Sequence, residues 1–199
     1  FNDEDIPKDD KKRMLYETGK KLLFENGYHE IGMDHFALKT DTLYDAFENG
    51  TLHRNFMGYS SSKTKLMIGL GVSSISDSWY SFAQNVKSLE EYYQLLEQNK
   101  LPVYRGHLLT DEDLIIRKHI LNLMCQFETS WKNQEAYFEE IPEVLNQLKE
   151  MENDGLLIIK ENSIAVTEKG KPYVRNICMA FDLRLKRKAP ETELFSMTI

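Results

Sequence analysis

The stretch IPEVLNQLKEMENDGLLIIKENSIAVTEKG, Ile141 to Gly170, sets the character of the fold. Pro142 suits the first turn of a helix, where its missing N–H would have no intrahelical partner anyway. The helix ends before Gly155. Two short strands follow, Leu156 to Lys160 and Ser163 to Thr167, with Glu161-Asn162 as the hairpin turn. Residues 134 to 170 thus read as helix, hairpin and helix start, a winged-helix-like pattern. That pattern often serves DNA, but this window carries nine acids against three lysines, net −6. Phosphate contact needs the opposite sign.

Reading toward the C-terminus, one further helix is predicted from Lys171 to Arg187. Its segment RNICMAFD, Arg175 to Asp182, holds Ile177, Met179, Ala180 and Phe181 with little amphipathic relief. A helix apolar on most sides is buried on most sides. The basic cluster Arg184, Lys186, Arg187 and Lys188 reads as a solvated helix end that complements the helix dipole.

Toward the N-terminus, Thr110 with Asp113 predicts a capping box and a helix through about Cys125. Ser88 is the expected N-cap of a helix through Gln98, with Leu89, Tyr92, Tyr93, Leu95 and Leu96 on its inner side and Pro102 beyond its end. Residues 1 to 8 read as frayed. A helix is expected from Asp9 to Asn26, with Met14, Leu15, Leu22 and Leu23 on one face and Gly27 as its stop. Next come a single strand, His29 to Ala37, and a short helix, Asp41 to Glu48. Residues 51 to 64 read as an irregular loop. Leu66 to Val72 reads as a fully buried strand entering a tight turn. The predicted class is α+β, mainly helical. Residues 1–82 read as the end of a larger parallel α/β barrel or sheet that cannot close by itself, and residues 83–199 as a helical domain with a small β-wing.

Composition narrows the function classes. Of 199 residues, 41% are hydrophobic and 29% charged, which fits a soluble globular chain. No apolar run approaches the roughly 20 residues of a membrane helix, so no membrane partner is expected. The net charge of −7 argues against a general nucleic-acid binder. The acidic start is unlike a secretory signal, and the lack of an initial methionine leads one to expect a piece of a longer protein. Two cysteines, Cys125 and Cys178, are too few for a disulfide framework or a cysteine-only metal site; buried thiols in a reducing cytoplasm are expected.

Several residues are candidates for chemistry. Asp34-His35 at the expected strand end is an acid/base candidate or a hydrogen-bonded pair. Phe56 and Met57 lie in a polar loop, where apolar side chains either pack beneath the loop or wall a ligand pocket. Arg54 beside them is suited to a substrate carboxylate or to a surface ion pair. Gly69-Leu70-Gly71 lacks the third glycine of a phosphate cradle. Close backbone packing and approach to an adenosyl group are its other readings. No nucleophile–base–orienter set stands out.

Four strings in fixed order carry a resemblance: IGMDHFA (Ile31 to Ala37), HRNFMGYSS (His53 to Ser61), GLGVSSIS (Gly69 to Ser76) and RNICMAFD. Together they resemble the C-terminal part of the oxygen-independent coproporphyrinogen III oxidases, a radical S-adenosylmethionine family of haem biosynthesis. The resemblance implies an incomplete (β/α) barrel followed by a helical C-terminal domain. It implies oxidative decarboxylation of two propionates of coproporphyrinogen III to vinyl groups, by way of a 5′-deoxyadenosyl radical. It also implies a [4Fe-4S] cluster, S-adenosylmethionine, an electron donor, and a cytoplasmic, monomeric full-length protein. Ile75 matches a family isoleucine that contacts S-adenosylmethionine. Phe56 and Met57 match a loop reaching toward the active centre, where some members carry glutamine in place of Met57. The cluster cysteines are expected upstream of Phe1, so the chain alone is expected to be inactive. The substrate propionates have five unranked basic candidates: Arg54, Lys63, Arg105, Arg117 and Arg175. The alternative is a non-catalytic helical tetrapyrrole-binding or adaptor module.

Overall fold

Helix α1 (Asp9–Glu25) opens the chain without a side-chain cap, and Gly27 takes φ +82° at its end. The computed structural model describes residues 6–188; residues 1–5 and 189–199, and the side chains of Asp9 and Lys188, lie outside the described residues. The expected fraying of residues 1–5 and the part played by Lys188 therefore fall outside them. On α1, Met14, Leu15, Leu22 and Phe24 are exposed. The helix is tied down by polar contacts: Lys20 to Glu30 at 2.5 Å, and the Tyr16 hydroxyl donating to Glu30 at 3.3 Å.

The expected single strand 29–37 is instead a hairpin, β1 (Tyr28–Gly32) and β2 (His35–Leu38), paired antiparallel. Met33 and Asp34 form the turn at φ +41° and +64°. Two consecutive left-handed residues match the right-handed twist of a tight hairpin, and aspartate tolerates that region better than most residues. The alternation of Ile31, Met33 and His35 runs straight through the turn, which is why the sequence reads as one strand. Helix α2 (Thr42–Glu48) follows, with Asp41 accepting from the Leu43 N–H at 2.8 Å.

Within the expected loop 51–64 lies a second hairpin, β3 (His53–Asn55) and β4 (Gly58–Ser60), with Phe56-Met57 at its tip. Asn55 Oδ1 accepts from the Met57 N–H at 2.8 Å, and Gly58 takes φ +124°. Strands of three residues are too short to show a period. The expected buried strand 66–72 is also corrected: Leu66, Ile68 and Leu70 are 61%, 67% and 85% exposed, and only Met67 pairs, with Asp77.

Strands β5 (Ile75–Asp77), β6 (Ser81–Asn85) and β7 (Val103–Leu108) form an antiparallel sheet in that order. The boundary expected at residue 82 falls inside β6. Helix α3 (Leu89–Glu97) is inserted between β6 and β7. Ser88 accepts from the Glu91 N–H at 3.3 Å as foreseen; of the expected inner face, Tyr92 and Leu95 are half-buried, with the Tyr92 hydroxyl accepting from the Gly71 N–H, while Leu89, Tyr93 and Leu96 are exposed. Helix α4 (Asp111–Gln126) carries the capping box of Thr110 and Asp113.

Strand β8 (Glu128–Ser130) follows, and the stretch from Ile141 to Gly170 forms helix α5 (Ile141–Asn153), β9 (Leu157–Lys160) and β10 (Ser163–Val166). The hairpin is present, and β8 adds to it in the antiparallel order β8-β10-β9. The single helix expected over 171–187 is broken into α6 (Val174–Met179) and α7 (Leu183–Lys188). Asp182 causes the break by accepting from the Leu185 N–H at 2.9 Å, as a cap does. Ile177, Ala180 and Phe181 are buried as expected of the apolar segment, and so is Val174 before it, whereas Met179 is 38% exposed. The buried four join one core cluster with Ile31, Leu52, Leu123, Val144 and Ile164, so residues from both sides of position 82 share it. The fold mixes helices with small sheets, and every strand pairing among the described residues is antiparallel. No helix among the described residues is long and apolar enough to cross a membrane.

Candidate functional site

A cavity of about 500 Å³ lies between α4, the β5–β6–β7 sheet, α6 and the start of α7, with Arg54 and Phe56 of the β3–β4 hairpin on its rim. Ile116, Ile120, Leu121, Met124 and Leu183 supply apolar wall. Arg54, Arg117, Arg175, Arg184 and His107 bring cationic or donor groups to the same space, with Asp77, Asp113 and Asp182 among them. Such a mixture, mostly apolar with a few placed polar groups, is the usual make-up of a ligand site.

The turn between β5 and β6 sets Arg117. Asp77 Oδ1 accepts from the Trp79 N–H at 2.8 Å, and Trp79 takes φ +68°. Arg117, on α4, donates from Nη2 to Asp77 Oδ2 at 2.5 Å and from Nη1 to the Trp79 carbonyl at 2.9 Å. Its guanidinium lies 4.4 Å from the Trp79 ring centroid and 5.0 Å from that of Phe82. Phe56 meets Phe82 edge-on at 5.1 Å, which seats the hairpin tip on this sheet.

Asp113 holds the opposite end. Arg184 grips it with two parallel bonds, Nε to Oδ1 at 2.6 Å and Nη2 to Oδ2 at 2.7 Å. Thr110 adds its N–H at 2.8 Å and its hydroxyl at 2.9 Å, both to Oδ2. The Arg184 fork holds the Asp113 carboxyl well below the usual carboxylate range, against the opposing effect of burial. Within the basic cluster on the last helix, Arg184 and Arg187 are half-exposed but paired: Arg184 serves the cavity wall, and Arg187 grips Glu112 and Glu140.

Arg54 reaches the cavity across Tyr59, its guanidinium 4.6 Å from the ring centroid, and its Nη1 is buried with no hydrogen-bond partner. Tyr59 donates its hydroxyl to the Met124 carbonyl at 2.7 Å.

Other candidates sit elsewhere. Phe56 lines the cavity, whereas Met57 points away and is 87% exposed. Ile75 stands on β5 opposite Gln84, outside the cavity lining. Its backbone is approached so closely by Gly69 that a Cβ there would lie 2.7 Å from the Ile75 carbonyl oxygen. Gly69 and Gly71 give their carbonyls to Asn85, and the Gly71 N–H goes to Tyr92, so this glycine turn serves close backbone packing. Lys63 lies over Trp79, and Arg105 donates to Gln84 on the sheet; neither lines the cavity. His35 bonds the Met33 carbonyl at 2.8 Å, as a turn stabiliser. Cys125 and Cys178 are buried, and burial pushes their thiols up to about 11 and about 12. Asp113 and Arg184 were missed as a wall because the capping box accounted for one and the helix end for the other. Their pairing spans 71 residues of sequence.

No family model matches the chain. Two curated relatives named oxygen-independent coproporphyrinogen III oxidase are similar to it. The one from Escherichia coli (strain K12) is 38% identical over 194 residues, 95% of this chain and 42% of the relative. The one from Synechocystis sp. is 36% identical over 203 residues, 98% of this chain and 43% of the relative. The chain therefore spans about two fifths of the length of the relatives it matches. A solved structure described as coproporphyrinogen III oxidase from Escherichia coli, a radical SAM enzyme, superposes with a TM-score of 0.87 at 37% identity. It covers 93% of this chain and 44% of that one.

Proposed function

Because this chain is homologous over nearly its whole length to the oxygen-independent coproporphyrinogen III oxidases, we propose that it forms the substrate-facing part of such an enzyme. The reaction is the oxidative decarboxylation of two propionates of coproporphyrinogen III to vinyl groups, giving protoporphyrinogen IX. The observation that carries the reading is the agreement of sequence and fold over the same stretch, 37% identity at a TM-score of 0.87.

The cavity supports the share this chain takes. Its apolar wall suits a tetrapyrrole edge, and its cationic rim suits carboxylates. Phe56 closes the rim from the hairpin tip, and exclusion of water by such a side chain suppresses side reactions. The β8, α5, β9 and β10 unit, with α4, reads as a winged-helix-like support for the cavity. Helix α1 reads as an edge of an incomplete (β/α) barrel; its exposed Met14, Leu22 and Phe24 support that reading.

The cofactors of the whole protein would be a [4Fe-4S] cluster and S-adenosylmethionine. Among the described residues no group of three or more His, Cys, Asp or Glu is placed to hold a metal, and the raised thiols of Cys125 and Cys178 are the reverse of what thiolate ligands need. The cluster ligands are proposed to lie outside this chain, and the chain alone is proposed to be inactive. Ile75 is the residue proposed to touch S-adenosylmethionine, with Phe56 and Met57 near the active centre. An electron donor, a monomeric full-length state and a cytoplasmic setting belong to the same proposal.

The test is anaerobic turnover by the full-length, cluster-loaded protein, read as protoporphyrin after oxidation. Product that depends on S-adenosylmethionine is expected. Tetrapyrrole binding without product would overturn the enzyme reading in favour of a non-catalytic binding module.

A further inference from the structure

The cavity's polar groups divide by whether their hydrogen bonds are already used. Arg117 is committed to Asp77 and to the Trp79 carbonyl. Arg184 is committed to Asp113. Asp113 Oδ2 in turn already accepts from Arg184 and from both donors of Thr110. His107, on β7, brings Nε2 to 3.5 Å from that same oxygen, beyond a good hydrogen bond, onto an acceptor whose lone pairs are taken. Nε2 is buried and has no hydrogen-bond partner. Arg54 Nη1, from β3, is in the same state. Both residues line one cavity. A buried polar nitrogen without a partner costs free energy comparable to a lost hydrogen bond, so Arg54 Nη1 and His107 Nε2 at one cavity mark where a polar group of a ligand belongs.

We propose that Arg54 and His107 form a two-point anchor for carboxylate groups of the ligand, framed by the Asp77–Arg117 and Asp113–Arg184 pairs, which hold the walls and do not bind. Asp113 keeps negative charge beside His107, and Arg184 offsets it. In the tautomer that carries a proton on Nε2, His107 acts as a short-range donor, and Arg54 supplies cationic charge. This rests on reading the cavity as the tetrapyrrole site and ranks its cations. Arg54 binds, Arg117 positions, Arg175 lines the cavity but is already engaged, and Lys63 and Arg105 lie outside the cavity lining.

The test uses the full-length holoprotein and two stable probes, coproporphyrin III and its tetramethyl ester, titrated by porphyrin fluorescence. Wild type should prefer the free acid by about tenfold or more, the scale of one charge-assisted hydrogen bond. Arg54→Met and His107→Leu should each lose most of that preference while binding the ester as wild type does. His107→Gln, which keeps an N–H donor, should retain it in part, and Arg105→Gln should leave it unchanged. The two-point anchor is overturned if wild type does not distinguish acid from ester, or if either Arg54→Met or His107→Leu keeps the full preference. These titrations need no turnover. An anchor that holds in a protein with no oxidase activity would separate failure of the enzyme reading from failure of the anchor.

Discussion

Asp113 caps α4, receives the Arg184 fork and stands beside His107, so one carboxylate joins a helix end, the last helix and the cavity wall. Asp113→Asn keeps the shape and removes the charge. It should cost about 2–3 kcal/mol at neutral pH, less than a fully buried pair because Arg184 is partly exposed to solvent. The sign follows from the lowered acid. Its stabilisation is present above the unfolded carboxylate value of about 3.9 and is lost as pH falls toward and through the folded value. Urea midpoints should therefore fall in acid more steeply for wild type than for Asp113→Asn. His119 behaves differently. It is 1% exposed, takes a bond from the Thr129 hydroxyl to Nδ1 at 2.7 Å, gives its Nε2–H to the Ala136 carbonyl at 2.7 Å, and stacks on Phe181. Burial lowers its pKa from the ordinary 6.5. The folded state then resists protonation more than the unfolded chain, so stability declines as pH drops below 6.5. His119→Gln should be less stable by about 1–3 kcal/mol at pH 7 and should lose that slope. An unchanged slope would show that another group titrates.

At the scale of elements, the legible parts are those with local chemistry. Asp41, Ser88 and Thr110 with Asp113 announce helix starts because a cap needs only a short polar side chain at one position. The hairpin turn at Met33-Asp34 and the three-residue strands β3 and β4 were not legible. Their shape depends on long-range neighbours such as Tyr59, whose hydroxyl lies 2.8 Å from where a Gly32 Cβ would be. Among the site residues, Phe56 and Arg54 were legible from an unusual loop. His107 was not, since nothing in VYRGHL marks one side chain as facing a cavity. Two element-level predictions follow from close approach and contact. Gly69→Ala should push the Ile75 backbone away and destabilise the β5–β6 edge by about 1–3 kcal/mol, seen as a lower Tm. In the full-length protein, on the proposed reading of the cavity as the tetrapyrrole site, Phe56→Ala should raise the KM for coproporphyrinogen III several-fold while leaving the Tm close to wild type, because the side chain is 54% exposed and its ring contact is Phe82.

Across the whole molecule, one core joins the N-terminal hairpin to α4, α5 and α6, while two regions stand out among the exposed apolar side chains of the described residues. One is α1. The other is the segment before β5 together with the edges of β7, where Leu66, Ile68, Leu70, Leu101 and Leu108 are 61% to 85% exposed. Expressed alone, the chain should self-associate with rising concentration and bind a hydrophobic dye. A monodisperse monomer at high concentration by light scattering would contradict this. Helix α3 is an insert between two paired strands that fully buries no residue and touches the glycine turn through Tyr92. In lineage terms, that makes it the place where length can drift. Homologous genes should gain and lose codons between β6 and β7 while the strands on either side stay fixed in register. A reporter peptide spliced into that helix should travel with the protein and leave its chemistry untouched.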